Sequence, residues 1–238
     1  MKPTVTATTG TAATATAYPP SRNTALQRRQ ALRMGSQFAA MVAMPFVWRT
    51  AAAQSPTLLR PTPSQTEGPF YPDRMPADTD FDLLKNGNNH YTKGQAAWLT
   101  GSVTDVRGKP LADAVVEIWQ CDNDGHYIHS ADGGGSGGGR ADPAFQGFGR
   151  VQVAADGSYR FRTLRPAPYS GRTPHIHVKV KLGQKELLTT QMYVAGDPGN
   201  ARDGLWRSLN SDAKAALTVP FVLGSDGLLA QFALVVAV

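Results

Sequence analysis

The chain has 238 residues, 41% of them hydrophobic, which is enough for one large domain with a real core and too apolar for a disordered chain. Its formal net charge of +6 would suit a nucleic-acid partner, but the excess sits in residues 1–53, where Lys2, Arg22, Arg28, Arg29, Arg33 and Arg49 meet no acid, and the rest carries 18 basic and 18 acidic side chains. A body without a basic excess has no means of displacing counterions from a phosphate backbone, so no nucleic-acid partner is expected.

Residues 1–53 read as an export signal of the twin-arginine type. Arg28 and Arg29 precede an apolar stretch over 35–48, and Ala51, Ala52 and Ala53 supply small residues for cleavage. The apolar stretch is shorter than the roughly 20 residues a spanning helix needs, and Pro45 interrupts it. A disordered extension over 1–27, a periplasmic or extracellular mature protein and no stable membrane anchor after cleavage are therefore expected. Residues 54–95 form an N-terminal arm and pocket loop, and 96–238 the folded domain.

From Ala96 onward short β-like runs alternate with Gly, Pro and Asp clusters. "AWLTGSVTD" and "VVEIWQ" are separated by "VRGKPLADA"; "FGRVQVA" and "SYRFRTL" flank Asp156-Gly157 and predict a hairpin. "HIHVKVKL" and "ELLTTQMYV" around "GQK" predict another. "LWRSLNSDAKAAL" is the best helical segment, and "FVLGSDGLLAQFALVV" ends the chain in strand-like runs. The pattern is all-β, an antiparallel β-sandwich with long loops. Trp98 and Trp119 are expected in its core, and Tyr159 and Tyr193 as packing residues. "GGGSGGGR" lacks the Lys-Ser/Thr ending of a phosphate loop and reads as a surface loop. Cys121, the only cysteine, reads as a small buried residue.

The stretch over 166–180, "PAPYSGRTPHIHVKV", carries two of the five histidines. Side chains alternate along a strand, so His175, His177, Lys179 and Lys181 share one face and Ile176, Val178, Val180 and Leu182 the other. The apolar set faces the core. The histidines are left on the wet face, either as solvent-facing decoration or as a ligand pair. No acidic ligand is close in sequence, but Tyr169 lies upstream behind Pro166 and Pro168, and Tyr127 stands in "WQCDNDGHYIHS". A phenolate is a hard anionic donor that suits ferric iron better than softer ions.

"TEGPFYPD" (66–73), "GSVTDVRGKPLADAVVEIWQCDNDGHY" (101–127), "GSYRFRTLRPAPY" (157–169) and "RTPHIHVKV" (172–180) together resemble the intradiol ring-cleavage dioxygenases, the protocatechuate 3,4-dioxygenase branch more than the catechol 1,2-dioxygenase branch. The resemblance implies a prealbumin-like sandwich and a non-haem Fe(3+) held by Tyr127, Tyr169, His175 and His177. It implies a catechol-type diphenol and O2 as partners, with Tyr169 leaving the metal and taking a substrate proton. Arg172 would stabilise negative charge on the substrate, Gln191 would orient a ligand or the arginine, and Gly68, Pro69 and Tyr71 would line the pocket mouth. His126 and His129 are expected in solvent. Only "SGRTP" separates Tyr169 from the histidines, shorter than in the protocatechuate enzymes, which alters a pocket wall. A homo-oligomer is compatible with the resemblance; the lack of a long helical segment argues only against the catechol 1,2-dioxygenase type of dimer. Two rivals remain. "GxVxDxxGxPLxxAxVEI" also occurs in transthyretin-like binding modules without metal, and His-x-His occurs in zinc hydrolases, which want a carboxylate or third histidine as well.

Overall fold

Turn-forming Gly, Asp and Pro cut the β-branched runs to lengths of two to ten residues, and these become strands. The computed structural model describes residues 57–132 and 140–238; the expected leader and most of the glycine-rich run lie outside them. In chain order the strands are β1 (Lys85–Asn86), β2 (Asn89–His90), β3 (Ala96–Asp105), β4 (Val115–Trp119), β5 (Phe148–Gln152), β6 (Ser158–Leu164), β7 (His175–Leu182) and β8 (Lys185–Val194). Two short helices follow, α1 (Gly204–Ser208) and α2 (Ser211–Leu217), within the segment expected to be helical. β9 (Thr218–Val219), β10 (Val222–Gly224), β11 (Gly227–Gln231) and β12 (Leu234–Val236) complete the chain. Among the described residues no helix is long and apolar enough to cross a membrane.

Two five-stranded sheets face each other. One runs β10-β11-β3-β12 with β6 also on β3, and the other runs β5-β4-β7-β8-β9. Between them lie Leu99, Val103, Phe161 and Leu234 from the first and Val116, Ile118, Ile176, Val178 and Val180 from the second. Each such side chain contributes about 1.5–3 kcal/mol when fully buried. With Cys121 buried and unpaired, this packing takes the place of disulfides.

The β7–β8 hairpin forms as expected, with Gly183 at its turn. The expected hairpin around Asp156-Gly157 does not. β5 pairs with β4, whereas β6 pairs with β3, so the turn carries the chain from one sheet to the other. Local turn chemistry cannot tell a hairpin from such an arch, because both need the same reversal. Most pairs are antiparallel, but β11 and β12 run parallel to β3, and β9 runs parallel to β8. At the switch from β11 to β12 the backbone passes so close that a Cβ on Gly101 would stand 2.0 Å from the Phe232 carbonyl oxygen, so only glycine fits there.

Trp98 is not in the core. It is half-buried on the outer face of β3, with the Arg160 guanidinium 3.4 Å from its ring centroid. Leu182, at the end of β7, is exposed. Tyr159 is packed as expected, its hydroxyl donating to the Phe232 carbonyl at 2.5 Å.

Candidate active site

The face of β7 opposite the core is not wet. His175 is 1% exposed, His177 0% and Lys179 5%. The alternation argument places these residues on one face correctly; it cannot see what covers that face. The cover is the arm. Gln65 N–H donates to the Thr189 carbonyl at 2.9 Å, the Thr190 hydroxyl to the Pro63 carbonyl at 2.7 Å, and the Gln191 amide to the Thr66 carbonyl at 2.8 Å. Beneath the arm a second, smaller apolar cluster forms from Trp119, Cys121, Tyr127, Phe148 and Ala167, with Phe70, Tyr71 and Tyr169 against it. Trp119 therefore belongs to this cluster and not to the sandwich core. Its alternation with Glu117 along β4 was the available signal.

Strand register builds one wall. His177 stands between Trp119 on β4 and Gln191 on β8, and His175 beside Tyr193. The Trp119 ring lies parallel to His177 at 4.8 Å, which fixes that imidazole. Tyr127 and Tyr169 come from loops. Asp122 organises the first loop, its side chain accepting from the N–H groups of Asp124, His126 and Asp142. In the second, Arg172 N–H donates to the Tyr169 carbonyl at 2.6 Å, closing the tight "SGRTP" turn.

These elements bring the four expected ligands together. Ring centroids are 5.2 Å apart for Tyr127–Tyr169, 5.5 Å for Tyr169–His175, 4.8 Å for His175–His177 and 6.2 Å for His177–Tyr127, a closed circuit around one small space. His175 Nδ1 donates to the Thr173 carbonyl at 2.6 Å, which leaves Nε2 with its lone pair. That Nε2 is 3.2 Å from His177 Nε2. Two donors each about 2.1 Å from one ion, at right angles, stand about 3 Å apart.

Burial drives both imidazoles toward the neutral, donor form. It lowers His175 to about 4, with the Arg172 charge assisting, and pushes His177 well below its ordinary range. Burial also raises Tyr127 well above an ordinary phenol, and raises Tyr169 while Arg172 opposes. The Tyr127 hydroxyl is buried without a hydrogen-bond partner of normal geometry. A buried phenol oxygen without a well-formed hydrogen bond, facing a second phenol and two neutral imidazoles, is suited to a cation. Among the described residues no three His, Cys, Asp or Glu side chains gather in ion-binding geometry; the side chains that face the two imidazoles across the small space are the two phenols. Two anionic oxygens and two neutral nitrogens fit a trivalent ion such as Fe(3+).

Arg172 is aimed by its neighbours. Nε donates to Asp203 at 2.7 Å and Nη2 to Gln191 at 2.6 Å. Asp203 was missed, although "DGLWRSL" marks it as a helix cap; it also accepts from the Trp206 and Thr173 N–H groups. Gly68 lies against His177, Pro69 follows it on the exposed side, and the Tyr71 hydroxyl donates to buried Glu117 at 2.9 Å. Phe70 was missed: it stacks on Tyr127 at 4.3 Å and meets Tyr169 edge-on at 5.7 Å. The Tyr193 hydroxyl donates to Gln65, so this residue ties the arm down as well as packing. His126 is buried, not solvated, inside the Asp122 loop; His129 is half-buried at the edge of Phe70. A hollow of about 660 Å³ opens beside Tyr127, bordered by Arg74, His129 and Arg140.

A dioxygenase family model matches residues 66–235. The chain is 36% identical over 155 residues to the protocatechuate 3,4-dioxygenase beta chain of Burkholderia cepacia, covering 60% of this chain and 64% of that one. It is 32% identical to the catechol 1,2-dioxygenase of Acinetobacter baylyi, covering 58% of this chain and 47% of that one. The match thus spans less than two-thirds of each relative's length. Among solved structures, the dioxygenase domain of a dioxygenase carbohydrate-binding protein fusion from Streptomyces sp. SirexAA-E superposes with a TM-score of 0.59 at 31% identity, covering 75% of this chain and 99% of that one. The sandwich, the matched span and these relatives agree: the chain belongs to the intradiol ring-cleavage dioxygenases.

Proposed function

We propose that the protein is a non-haem Fe(3+) intradiol dioxygenase that inserts both atoms of O2 into a catechol-type diphenol, splits the bond between the hydroxylated carbons and yields a muconate-type diacid. The observation that carries this reading is the closed circuit of two phenols and two neutral imidazoles. The relatives' names, protocatechuate and catechol dioxygenases, point to the same substrate class.

Tyr127, Tyr169, His175 and His177 would hold the iron, which when bound draws electron density from a coordinated diphenolate and makes its ring reactive toward O2. The protein's own groups divide the remaining work. Tyr127 is 4% exposed and clamped under Phe70, so it stays in place as a donor. Tyr169 is half-buried on a loop, so it is the phenol free to swing away and accept a substrate proton at its oxygen. Arg172, held by Asp203 and Gln191, presents a fixed cation toward negative charge building on the ring. Phe70 and the arm exclude water above Tyr127.

Metal analysis and product analysis test the proposal. Protein loaded with ferric iron should be red to burgundy and convert catechol to a colourless diacid that gains both atoms of O2, two of its four carboxyl oxygens. A yellow semialdehyde would indicate cleavage beside the hydroxyls and defeat the reading. No product from a broad panel of diphenols, with iron bound, would favour the binding-module alternative. We also propose export by the twin-arginine route; N-terminal sequencing of periplasmic protein should start near residue 54, and full-length protein confined to the cytoplasm would contradict it.

A further inference from the structure

Lys179 shares the face of β7 with the two histidines, one step further along the strand. A lysine ammonium belongs in water, yet this residue is 5% exposed. Its Nζ meets the Glu67 carboxylate in a short ion pair, reaches Glu186 at 2.9 Å and lies 4.2 Å from the centroid of the Tyr71 ring. Glu67 and Tyr71 are the two ends of one tight turn. Between them stand Gly68, whose backbone presses on His177, and Phe70, which stacks on Tyr127. One ammonium group therefore grips both ends of the turn whose middle covers two of the four rings. Glu117 adds a second hold at the far end, accepting from Tyr71 at 2.9 Å while pairing with Lys181 at 3.5 Å.

We infer that Lys179 is a positioning residue: it sets the turn over 67–71 and, through Gly68 and Phe70, the seating of His177 and Tyr127. The inference rests on reading the four rings as the reaction site, but its mechanical half stands without that. A lysine that merely fills the sheet face would stabilise the whole sandwich evenly. A positioning lysine acts chiefly on the turn, because Glu67 and Tyr71 are the turn's two ends while Glu186 ties the ammonium back to β8 beside it.

Two variants of the full chain test this, Lys179→Met, which keeps the apolar stem and removes the charge, and Glu67→Gln, which acts from the more exposed partner. Lys179→Arg serves as the conservative control. Hydrogen–deuterium exchange of the metal-free protein reads the arm directly. Both loosening variants should speed exchange in a peptide covering 65–71 by about tenfold, a local opening that leaves β3 and β6 unchanged. Lys179→Arg should restore protection. Under turnover with catechol, KM should rise about tenfold while kcat changes less, since the turn forms a wall and not a reacting group. Unchanged arm exchange in both variants, or exchange that rises equally across both sheets, would overturn the inference. If wild-type protein cleaves no diphenol, the proposed function fails while the exchange result still decides the role of Lys179.

Discussion

Gly68→Ala tests how closely the arm is pressed onto the site. Gly68 has φ +72°, where an L-residue is strained by about 1–2 kcal/mol. An added methyl would sit 3.3 Å from His177 Cε1, closer than comfortable van der Waals contact. The imidazole cannot retreat, because the Trp119 ring lies parallel to it at 4.8 Å and both residues are fully buried. The arm must lift, and Phe70 then leaves Tyr127, losing a stacked pair worth about 0.5–1.5 kcal/mol. The total loss is about 2 kcal/mol. Gly183→Ala isolates the backbone share: its φ is +58° and nothing lies within 4 Å of the added carbon, so it should cost about 1 kcal/mol. Urea denaturation of the metal-free proteins measures both. Equal losses in the two variants would refute the claim that the arm bears on His177.

Replacing Tyr169 with Phe should lower diphenol turnover by about a hundredfold or more with iron still bound, by removing an anionic donor and a proton acceptor; wild-type turnover would contradict its role. His175→Ala or His177→Ala should lose iron and colour together, read by metal analysis and visible absorption. Tyr159→Phe should cost about 1–2 kcal/mol in urea, because the Phe232 carbonyl loses a buried donor, and should leave metal binding untouched. In the metal-free protein His175 titrates near 4 when folded against 6.5 when unfolded. Neither state is protonated through this group above 6.5. As pH falls below that value the unfolded chain binds the proton first, so stability declines down to about 4, on the order of 3 kcal/mol in all. His175→Asn should flatten that decline in urea titrations, and an identical pH slope would count against the burial argument.

Strand positions and the sharing of a face by His175, His177 and Lys179 are legible from alternation alone, because the period of two is a local property. Tyr127 and Tyr169 could be picked out as candidate donors from their residue type and the lack of a nearby acid, but only the motif resemblance joined them to the histidines, since both sit on loops with no periodicity. What was hidden is the partner of each face. Nothing local distinguishes a strand face met by solvent from one met by an arm more than a hundred residues earlier, so the burial of His177 and the packing of Phe70 on Tyr127 escaped. The same blindness put Trp98 in the core and made an inter-sheet arch look like a hairpin. Asp203 shows the reverse case: its capping pattern was local and visible, but its reach to Arg172 was not.

The parallel pairing of β11 and β12 with β3 bears on how the chain is made. The Thr100 hydroxyl bonds to a carbonyl 130 positions onward, and Val235 bonds to Thr62 across 173. A growing polypeptide cannot form the ladders of β3 with β11 and β12 until residues 228–236 have been synthesised. Until then β3 has β6 on one side and an open edge of unpaired N–H and C=O groups on the other, a surface that invites chaperones or self-association. Closure across such distances is slow compared with local pairing. The four ring-bearing residues, by contrast, lie within residues 127–177 and are synthesised well before the last strand. Deleting β12 therefore strikes the sheet farther from the rings first, and its earliest symptom should be poor recovery of soluble protein.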